Sequence, residues 1–321
     1  MIPAEIKALT IPDLSFPFPA RLHPDWQELE EGTVSWLKEF GFVRGADHEQ
    51  RVRAQLLGKT FAHYFPVGAT DRVLLAANMC AFYTMWDDRI AAVTNPDELR
   101  TLGIRCLHLD RIAADPHTVP ATDDPFEHAY RDLWLRTLTW ASPQQAERIQ
   151  RDMLHNSLGW LVEGAHDLQR AVASLADYRE IRWATSTLPF FVDLNEIVRG
   201  FEVPLATALD PAVRQLVRLS MTLFTTTNDI FSCARDAYRG HFMNLPAVLA
   251  HAYDCSLQQG MDMAAQELRA QTSQFLALAG RLRQRAEEKL PELVDSLQDM
   301  VAGHLVWIRE CGRYVIDALP V

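Results

Sequence analysis

The stretch Asn228-Asp-Ile-Phe-Ser232-Cys-Ala-Arg-Asp236 places an amide, a hydroxyl and a carboxylate at positions i, i+4 and i+8. At about 100° per residue, these three side chains lie on one stripe of a helix, about two turns long. The run before it, Leu216 to Phe224, is apolar, so we expect the stripe to face the interior. Three oxygen ligands facing one point suit Mg²⁺, which leaves its other positions to water and substrate phosphate. The stretch therefore predicts a helix with a magnesium site, and we call its three oxygen-bearing residues the polar ladder.

A second acidic element ends another apolar segment. Met79 to Trp86 is apolar and aromatic, and it stops abruptly at Asp87-Asp88-Arg89. Two carboxylates at the end of such a helix either lie at the surface, which is the common outcome, or bind a metal. Alone, the Asp87-Asp88 pair is a weak signal. An isolated polar triplet is likewise more often a solvated face, but here the triplet extends an apolar face and a second acidic element accompanies it.

Helical periodicity dominates the chain from Trp26 to the C-terminus. Helix starts carry N-cap or N1-proline signals at Thr70-Asp71, Ser142-Pro143-x-Gln145 and Asp210-Pro211. No alternating strand pattern appears between them, and the clearest loops are Asp115 to Pro125 and Gly240 to Pro246. The pattern predicts an all-α fold.

Length and composition are consistent with one helical domain over residues 1–321 that encloses a cavity. Five prolines among residues 1–25 exclude regular helix there and predict an extended segment lying across the domain, which we call the N-terminal strap. The formal charge of −11 argues against nucleic-acid binding. An anionic substrate would need a local cluster of cations.

The chain shows no signal for export or for a membrane span. Its N-terminus lacks the basic start and apolar run of a signal peptide, and its longest apolar run is shorter than the roughly 20 residues that a span requires. The five cysteines lie far apart without a C-x-x-C pair, so neither a disulfide framework nor a zinc site is indicated. We expect a soluble cytoplasmic protein with reduced thiols.

These motifs together resemble those of bacterial class I terpene synthases. The Asp87-Asp88 pair is similar to the aspartate-rich motif of that family, and the polar ladder is similar to its second metal motif, Asn-Asp-x-x-Ser-x-x-x-Glu. Four further elements follow the family pattern in the expected order: Phe16-Pro-Phe-Pro-Ala-Arg21, Arg182-x-x-Thr185-Ser186, Trp307 and Arg313-Tyr314. The resemblance covers nearly the whole chain and implies a class I terpenoid-synthase helical bundle around a deep apolar cavity.

The resemblance also assigns roles to residues. It implies three Mg²⁺ ions. Asp87, together with Asp88, would bind the first two ions, and the polar ladder would bind the third. It implies that four residues donate hydrogen bonds to the substrate diphosphate: Arg182, Arg235, Arg313 and Tyr314. Metals and guanidinium groups stabilise the negative charge that develops on a leaving diphosphate.

The carbocation left behind needs a dry wall of π faces. The aromatic candidates for that wall are Phe61, Phe82, Tyr83, Trp86, Phe190, Phe191, Phe224 and Trp307. Any single one of them is more often an ordinary core residue. Two positions depart from the family pattern: Ala91 stands where a further acid is usual, and Asp236 stands where Glu is usual.

We therefore expect a lyase that ionises a linear prenyl diphosphate with Mg²⁺ and cyclises the cation to a terpene. Farnesyl diphosphate is favoured by analogy with bacterial relatives, with geranylgeranyl diphosphate close behind. A homodimer is common in the family. Two alternatives stay open. A chain-elongating prenyl diphosphate synthase would need a second aspartate-rich motif in place of the ladder, and a non-catalytic lipid-binding protein with a degenerate metal site is suggested by Ala91.

Overall fold

A computed structural model describes residues 3–285, 287 and 289–314 of the chain. Within these residues the secondary structure is helical, without β-strands. The helices are α1 (Ala4–Lys7), α2 (Trp26–Glu39), α3 (Ala46–Arg53), α4 (Leu57–Tyr64), α5 (Thr70–Ala91), α6 (Pro96–Ala114), α7 (Pro125–Trp140), α8 (Pro143–Gln169), α9 (Leu175–Thr185), α10 (Leu188–Arg199), α11 (Leu205–Ala208), α12 (Pro211–Arg239), α13 (Leu245–Ala252), α14 (Leu257–Arg283) and α15 (Leu290–Glu310), followed by a 3₁₀ turn, Gly312–Tyr314. The all-α prediction is confirmed.

The local start signals act largely as the sequence indicates. Ser142 caps α8 with a complete capping box, in which the side chains of Ser142 and Gln145 each accept from the other's backbone N–H. Asp210 accepts two backbone hydrogen bonds at the start of α12, the helix that carries the ladder. The start of α5 differs, because Ala69 is its N-cap and the Thr70 hydroxyl instead donates to Asp25 at 2.6 Å. The helix still extends from Thr70 past the Asp87-Asp88 pair.

The N-terminal strap departs from its prediction at one point. A one-turn helix, α1, follows Pro3, because a proline is compatible with the first turn of a helix. The rest of the strap is irregular, and residues 1–2 lie outside the described residues. Arg21 donates to Asp299 on α15 at 2.9 Å, and the His23 backbone N–H donates to the Ala62 carbonyl at 2.8 Å. These contacts join the strap to the two helices, α4 and α15, that form one side of the cavity.

Two glycines allow close helix packing beside that cavity. A Cβ atom at Gly303 on α15 would lie 2.6 Å from the His63 carbonyl oxygen on α4, which is closer than real Cβ atoms approach. A Cβ atom at Gly159 on α8 would lie 2.6 Å from the Ala184 Cβ on α9. The absence of a side chain at each position therefore sets the distance between two cavity helices.

The predicted interruption after Arg182 is present. Helix α9 ends at Thr185, and α10 begins at Leu188. Between them Thr187 has φ of +58°, a left-handed conformation that is strained for a β-branched residue. This break turns the end of α9 toward the interior of the bundle, where Thr185, Ser186 and Thr187 line the cavity.

Two remaining predictions concern membranes and thiols. No helix within the described residues is both long enough and apolar enough to cross a membrane. All five cysteines are free thiols; Cys106, Cys233 and Cys311 are buried, whereas Cys80 and Cys255 are half-buried.

Candidate active site

The residues singled out by the sequence meet around a cavity of about 220 Å³. Its lining comes from helices α4, α5, α8, α9, α10, α12 and α15, from the break between α9 and α10, from the segment after α12 and from the C-terminal 3₁₀ turn. One end of the cavity is charged, and the other is mainly aromatic. The charged end contains both acidic elements and the arginines.

The polar ladder lies on the cavity side of α12. Asn228 and Asp236 line the cavity, whereas Ser232 is 1% exposed and lies beneath the surface. The Asn228 Oδ1 atom accepts from Arg182 at 3.1 Å, and its amide nitrogen donates to the Tyr314 hydroxyl at 2.9 Å. Arg235 donates two hydrogen bonds to Asp236, at 2.8 and 2.9 Å. The ladder oxygens are therefore held by protein donors.

Asn244 completes the ladder from outside α12, and the sequence did not single it out. It is the N-cap of α13 and is 1% exposed. Its amide nitrogen lies 3.1 Å from Ser232 Oγ and 3.2 Å from Asp236 Oδ2, whereas its own Oδ1 is buried and has no hydrogen-bond partner among the described residues. Asn244 thus orients two of the three ladder side chains.

The acidic pair on α5 is held by the C-terminal turn. Arg313 Nη2 lies 3.3 Å from Asp87 Oδ2 and 3.3 Å from Asp88 Oδ1. Its Nη1 donates to Gln55 at 3.0 Å, so the guanidinium bridges the α3–α4 connection and α5. Asp87, Asp88 and Arg313, which the sequence analysis assigns to one site, therefore lie next to one another. Ala91, one turn after Asp87, lies at the same rim.

Arg182 is anchored by a buried carboxylate that the sequence did not assign to the site. Asp229, 2% exposed, lies 2.7 Å from Arg182 Nη2 and also accepts from the Tyr178 hydroxyl and the Leu245 backbone N–H. Burial raises the pKa of Asp229, and Arg182 opposes that rise. Asp229 therefore fixes the direction of Arg182 and ties α9, α12 and α13 together.

A second arginine lies against the C-terminal turn. The Arg235 guanidinium lies 4.7 Å from the centre of the Tyr314 ring, which is a cation–π contact. Tyr314 also packs edge-on against Trp307 at 6.1 Å. Arg182, Arg235 and Arg313, together with Tyr314, thus line the charged end of the cavity.

The aromatic end corrects part of the predicted wall. Tyr83, Phe191, Phe224 and Trp307 line the cavity. The other predicted aromatics pack in the core behind it and do not line it: Phe61, Phe82, Trp86 and Phe190. Phe82 and Trp86 point toward Phe126 on α7 because they occupy the opposite face of α5 from the cavity-lining residues. Phe61 and Phe190 each contact Phe191, which separates them from the cavity.

Sequence reasoning also missed several lining residues, among them Tyr64, His304 and Glu163. Tyr64 and His304 lie at the aromatic end, joined by a 2.8 Å contact between the Tyr64 hydroxyl and His304 Nδ1. Glu163 lies among the charged groups, where burial and the neighbouring Asp87 raise its pKa to about 8, although Arg182 opposes the rise. Single polar residues on apolar helices carry no spacing signal, so their meeting in one cavity appears only in the fold.

The oxygen donors at the charged end are compatible with Mg²⁺. Amide, hydroxyl and carboxylate oxygens are the hard ligands this ion prefers, and Asn244 Oδ1 adds a buried acceptor close to them. No group of three or more His, Cys, Asp or Glu side chains within the described ranges is arranged to hold a metal. A metal here would therefore depend on the neutral oxygens of Asn228 and Ser232 as well as on carboxylates.

Comparison with known proteins agrees with this architecture. The family model described as terpene synthase family 2, C-terminal metal binding, matches residues 78–274, which include both acidic elements and the helix break. The chain belongs to the terpene synthase family. It is thus a terpene synthase, and the matched region is described as metal-binding.

This terpene synthase is similar to curated bacterial enzymes over nearly its full length. It is 26% identical to a germacradien-6-ol synthase of Streptomyces pratensis, over 97% of this chain and 88% of the relative. It is 27% identical to a corvol ether synthase of Kitasatospora setae, described as cyclising (2E,6E)-farnesyl diphosphate, over 96% of both chains. Among solved structures, α-eudesmol synthase superposes with a TM-score of 0.84 at 22% identity, covering 94% of this terpene synthase and 100% of that chain. That likeness shows the fold.

Proposed function

We propose that this terpene synthase ionises and cyclises farnesyl diphosphate at the cavity between α5 and α12. The observation that supports it best is the division of one cavity into two chemical environments. At one end Arg182, Arg235 and Arg313 face the polar ladder and the Asp87-Asp88 pair. At the other end the walls are aromatic, as a substrate with a diphosphate head and a hydrocarbon tail requires.

The charged end would bind and hold the diphosphate. Asp87 and Asp88 would hold two Mg²⁺ ions, and Asn228, Ser232 and Asp236 would hold a third. When bound, these ions supply positive charge that stabilises the leaving diphosphate. Arg182, Arg235 and Arg313 would leave their present carboxylate partners and donate to the diphosphate oxygens, with the Tyr314 hydroxyl as a further donor.

The aromatic end would hold the cation after the C–O bond breaks. Tyr83, Phe191, Phe224 and Trp307 present ring faces or edges to the cavity. Ring faces carry partial negative charge, and they exclude water without reacting with a cation as a hydroxyl would. The prenyl chain is cyclised in the shape that these walls impose, so they determine the product.

One comparison supports a C15 substrate. The similar corvol ether synthase is described as cyclising (2E,6E)-farnesyl diphosphate, a C15 diphosphate. We therefore place farnesyl diphosphate before geranylgeranyl diphosphate. We further propose that residues 1–321 form one domain, with the five free thiols supporting a reducing, cytoplasmic compartment. A homodimer stays a prediction.

The test is incubation of the purified protein with Mg²⁺ and C10, C15 and C20 prenyl diphosphates. We expect diphosphate release and a cyclic C15 product. A longer diphosphate as product would indicate chain elongation, and no turnover by the folded protein would indicate a lipid-binding role; either result would refute the proposal.

A matched pair of variants tests the ladder. Ser232→Ala removes a predicted metal ligand, whereas Ser220→Ala removes a buried hydroxyl from the same helix away from the cavity. Turnover should fall strongly in the first variant and persist in the second. Equal turnover in the two variants would contradict the assignment of Ser232.

A further inference from the structure

One surface of the bundle carries a cluster of exposed aliphatic side chains. Helices α6 and α8 pack side by side, and five large aliphatic residues on their outer side are exposed: Ile104 and Leu107 on α6, and Leu154, Leu158 and Val162 on α8. Leu107 is 64% exposed and Leu158 is 60% exposed. Single exposed leucines are ordinary on a protein surface, whereas a contiguous apolar patch usually marks an interaction site. We call these five residues the α6–α8 face.

The contacts between α6 and α8 show that the face is continuous. The helices run antiparallel, because a Cβ atom at Gly164 would lie 2.9 Å from Leu99 Cδ1, whereas Gln150 donates to Asp110 at 3.2 Å. Leu107 lies one turn before Asp110, and the other members of the face follow at spacings of three or four residues along each helix. The five side chains therefore form one strip across the two helices.

Charged residues of both signs lie at opposite ends of this strip. Asp97 and Arg100 lie at the start of α6, and Glu147 and Arg151 lie in the early turns of α8. All four residues are exposed. Because α6 begins beside the later part of α8, about 20 Å along the helix axes separates Arg100 from Glu147 within one copy. Each end of the strip therefore presents one acid and one base.

A two-fold axis makes this surface complementary to itself. With the axis perpendicular to the face near Leu107, α6 of each copy lies over α8 of the other copy. Leu107 of one copy then enters the space between Leu154 and Leu158 of the other, which is an i, i+4 gap of the kind that accepts side chains where helices pack. The same rotation brings Arg100 of each copy close to Glu147 of the other.

We propose that the α6–α8 face binds a second copy of this chain across a two-fold axis. This inference assigns a surface to the predicted homodimer, and it is independent of the proposed function. Charge favours this partner, because Arg100 meets an acid and Glu147 meets a base in the second copy, whereas the exposed Asp97 and Glu147 would repel an anionic lipid surface. Burial of the five aliphatic side chains supplies the favourable free energy.

The size of the face predicts a reversible dimer. A strip about 24 Å long and two helix diameters wide gives on the order of 500 Å² per copy, which is less than the roughly 800 Å² of a standard interface. Each copy also carries a formal charge of −11, which opposes association. We therefore expect association that is visible at micromolar concentrations and is reversed by dilution.

Sedimentation velocity from about 1 to 100 µM protein measures the dissociation constant, after circular dichroism has confirmed that each variant is folded. Leu107→Glu and Leu158→Glu each place a carboxylate in the middle of the face and should raise the dissociation constant at least about tenfold. Leu205→Glu is the matched control, because Leu205 is 51% exposed on α11, outside the face. This control should leave the dissociation constant unchanged.

A charge exchange tests the two-fold arrangement itself. Arg100→Glu alone and Glu147→Arg alone should each raise the dissociation constant by about 2–30-fold, because the interface contains the pair twice. The double variant exchanges the two signs and should return to within about threefold of the wild-type value. Within one copy the two positions are about 20 Å apart, beyond the screening length of roughly 8 Å, so this recovery would arise between copies.

Four results would overturn the assignment of this face. They are a wild-type protein that stays monomeric at about 100 µM, an unchanged dissociation constant in both leucine variants, an equal loss of association in Leu205→Glu, and a double charge variant that associates no better than the single ones. Binding of a monomeric wild-type protein to phosphatidylglycerol vesicles would assign the face to lipid and would also overturn it. None of these results bears on diphosphate release, so the proposed function is tested separately.

Discussion

Asn244 supports two of the three proposed ligands of one metal ion. Its amide nitrogen contacts Ser232 Oγ and Asp236 Oδ2, and it also donates to the Asp229 carbonyl at 2.9 Å. Residues that orient metal ligands are commonly almost as important as the ligands, because a ligand that rotates freely loses part of its binding free energy on ordering. Asn244 is therefore expected to act on metal affinity.

We predict that Asn244→Ala weakens Mg²⁺ affinity by about 10–100-fold. Isothermal titration with Mg²⁺ in the presence of inorganic diphosphate measures this directly, without turnover. Asn95→Ala is the control, because it removes the N-cap of α6 and should cost about 1 kcal/mol of stability without altering Mg²⁺ affinity. Equal Mg²⁺ affinity in the two variants would show that Asn244 does not support the site.

The ladder was predictable and Asn244 was not, for a physical reason. Spacing within one helix determines which side chains share a face, so the sequence predicts that Asn228 and Asp236 lie on the same face. Asn244 reaches the ladder only because the chain reverses after Gly240, whose φ is +76°. The path of a loop depends on packing between helices, and local sequence does not encode that packing.

Helix α5 illustrates the same limit. Cys80, Thr84 and Asp87 form a stripe that lines the cavity, and Phe82 and Trp86 form another that faces α7. Periodicity separates the two stripes, but both are compatible with a core, so the sequence alone cannot state which one meets the substrate. The wall residues predicted at Phe82 and Trp86 were wrong for this reason.

The position of Arg182 depends on how closely α8 approaches α9. Gly159→Ala would place a Cβ within 2.6 Å of the Ala184 Cβ, three residues before the strained Thr187. We expect a loss of about 1–3 kcal/mol of stability through overpacking, although alanine is the better helix former. Urea unfolding measures the change.

Gly280→Ala is the matched control, since nothing lies within 4 Å of its added Cβ on α14. That variant should gain about 0.4–1 kcal/mol. If Gly159→Ala were stabilised to the same extent, Gly159 would not determine the spacing of α8 and α9.

Glu127, at the start of α7, should make the free energy of unfolding depend on pH. Burial alone would raise the pKa of Glu127, but hydrogen bonds from His108, Thr122 and Arg105 outweigh it and hold the pKa at about 2. A carboxylate with a lowered pKa in the folded state stabilises the fold above its ordinary pKa of 4.5, and this stabilisation is lost as pH falls toward 2.

Glu127→Gln should therefore cost about 1–3 kcal/mol at pH 7. The difference from wild type should shrink at pH 3.5, as measured by urea unfolding at both values. A constant difference at the two pH values would show that the charge of Glu127 does not contribute.

The cavity combines arginines with carboxylates, although the protein as a whole is acidic. Arg182, Arg235 and Arg313 each bind a carboxylate at its charged end, although the chain as a whole has a formal charge of −11. These ion pairs keep both the arginines and the carboxylates from being left unpaired in a partly buried site. The same ion pairs should weaken the binding of Mg²⁺ alone, because Mg²⁺ must displace arginines from the carboxylates. They should also weaken the binding of diphosphate alone, because diphosphate must displace carboxylates from the arginines.

Mg²⁺ and diphosphate should therefore bind cooperatively. On the proposed assignment, Mg²⁺ would bind the carboxylates of Asp87 and Asp236 only if Arg313 and Arg235 found another anion, and diphosphate would be that anion. We expect each ligand to raise the affinity for the other by about 5–150-fold, the usual range of coupling between sites.

Calorimetric titration with inorganic diphosphate at several Mg²⁺ concentrations, corrected for their association in solution, measures the coupling. Arg235→Met, which removes the arginine partner of Asp236, should reduce it. Independent binding of the two ligands by the wild-type protein would mean that the observed ion pairs are not exchanged on substrate binding.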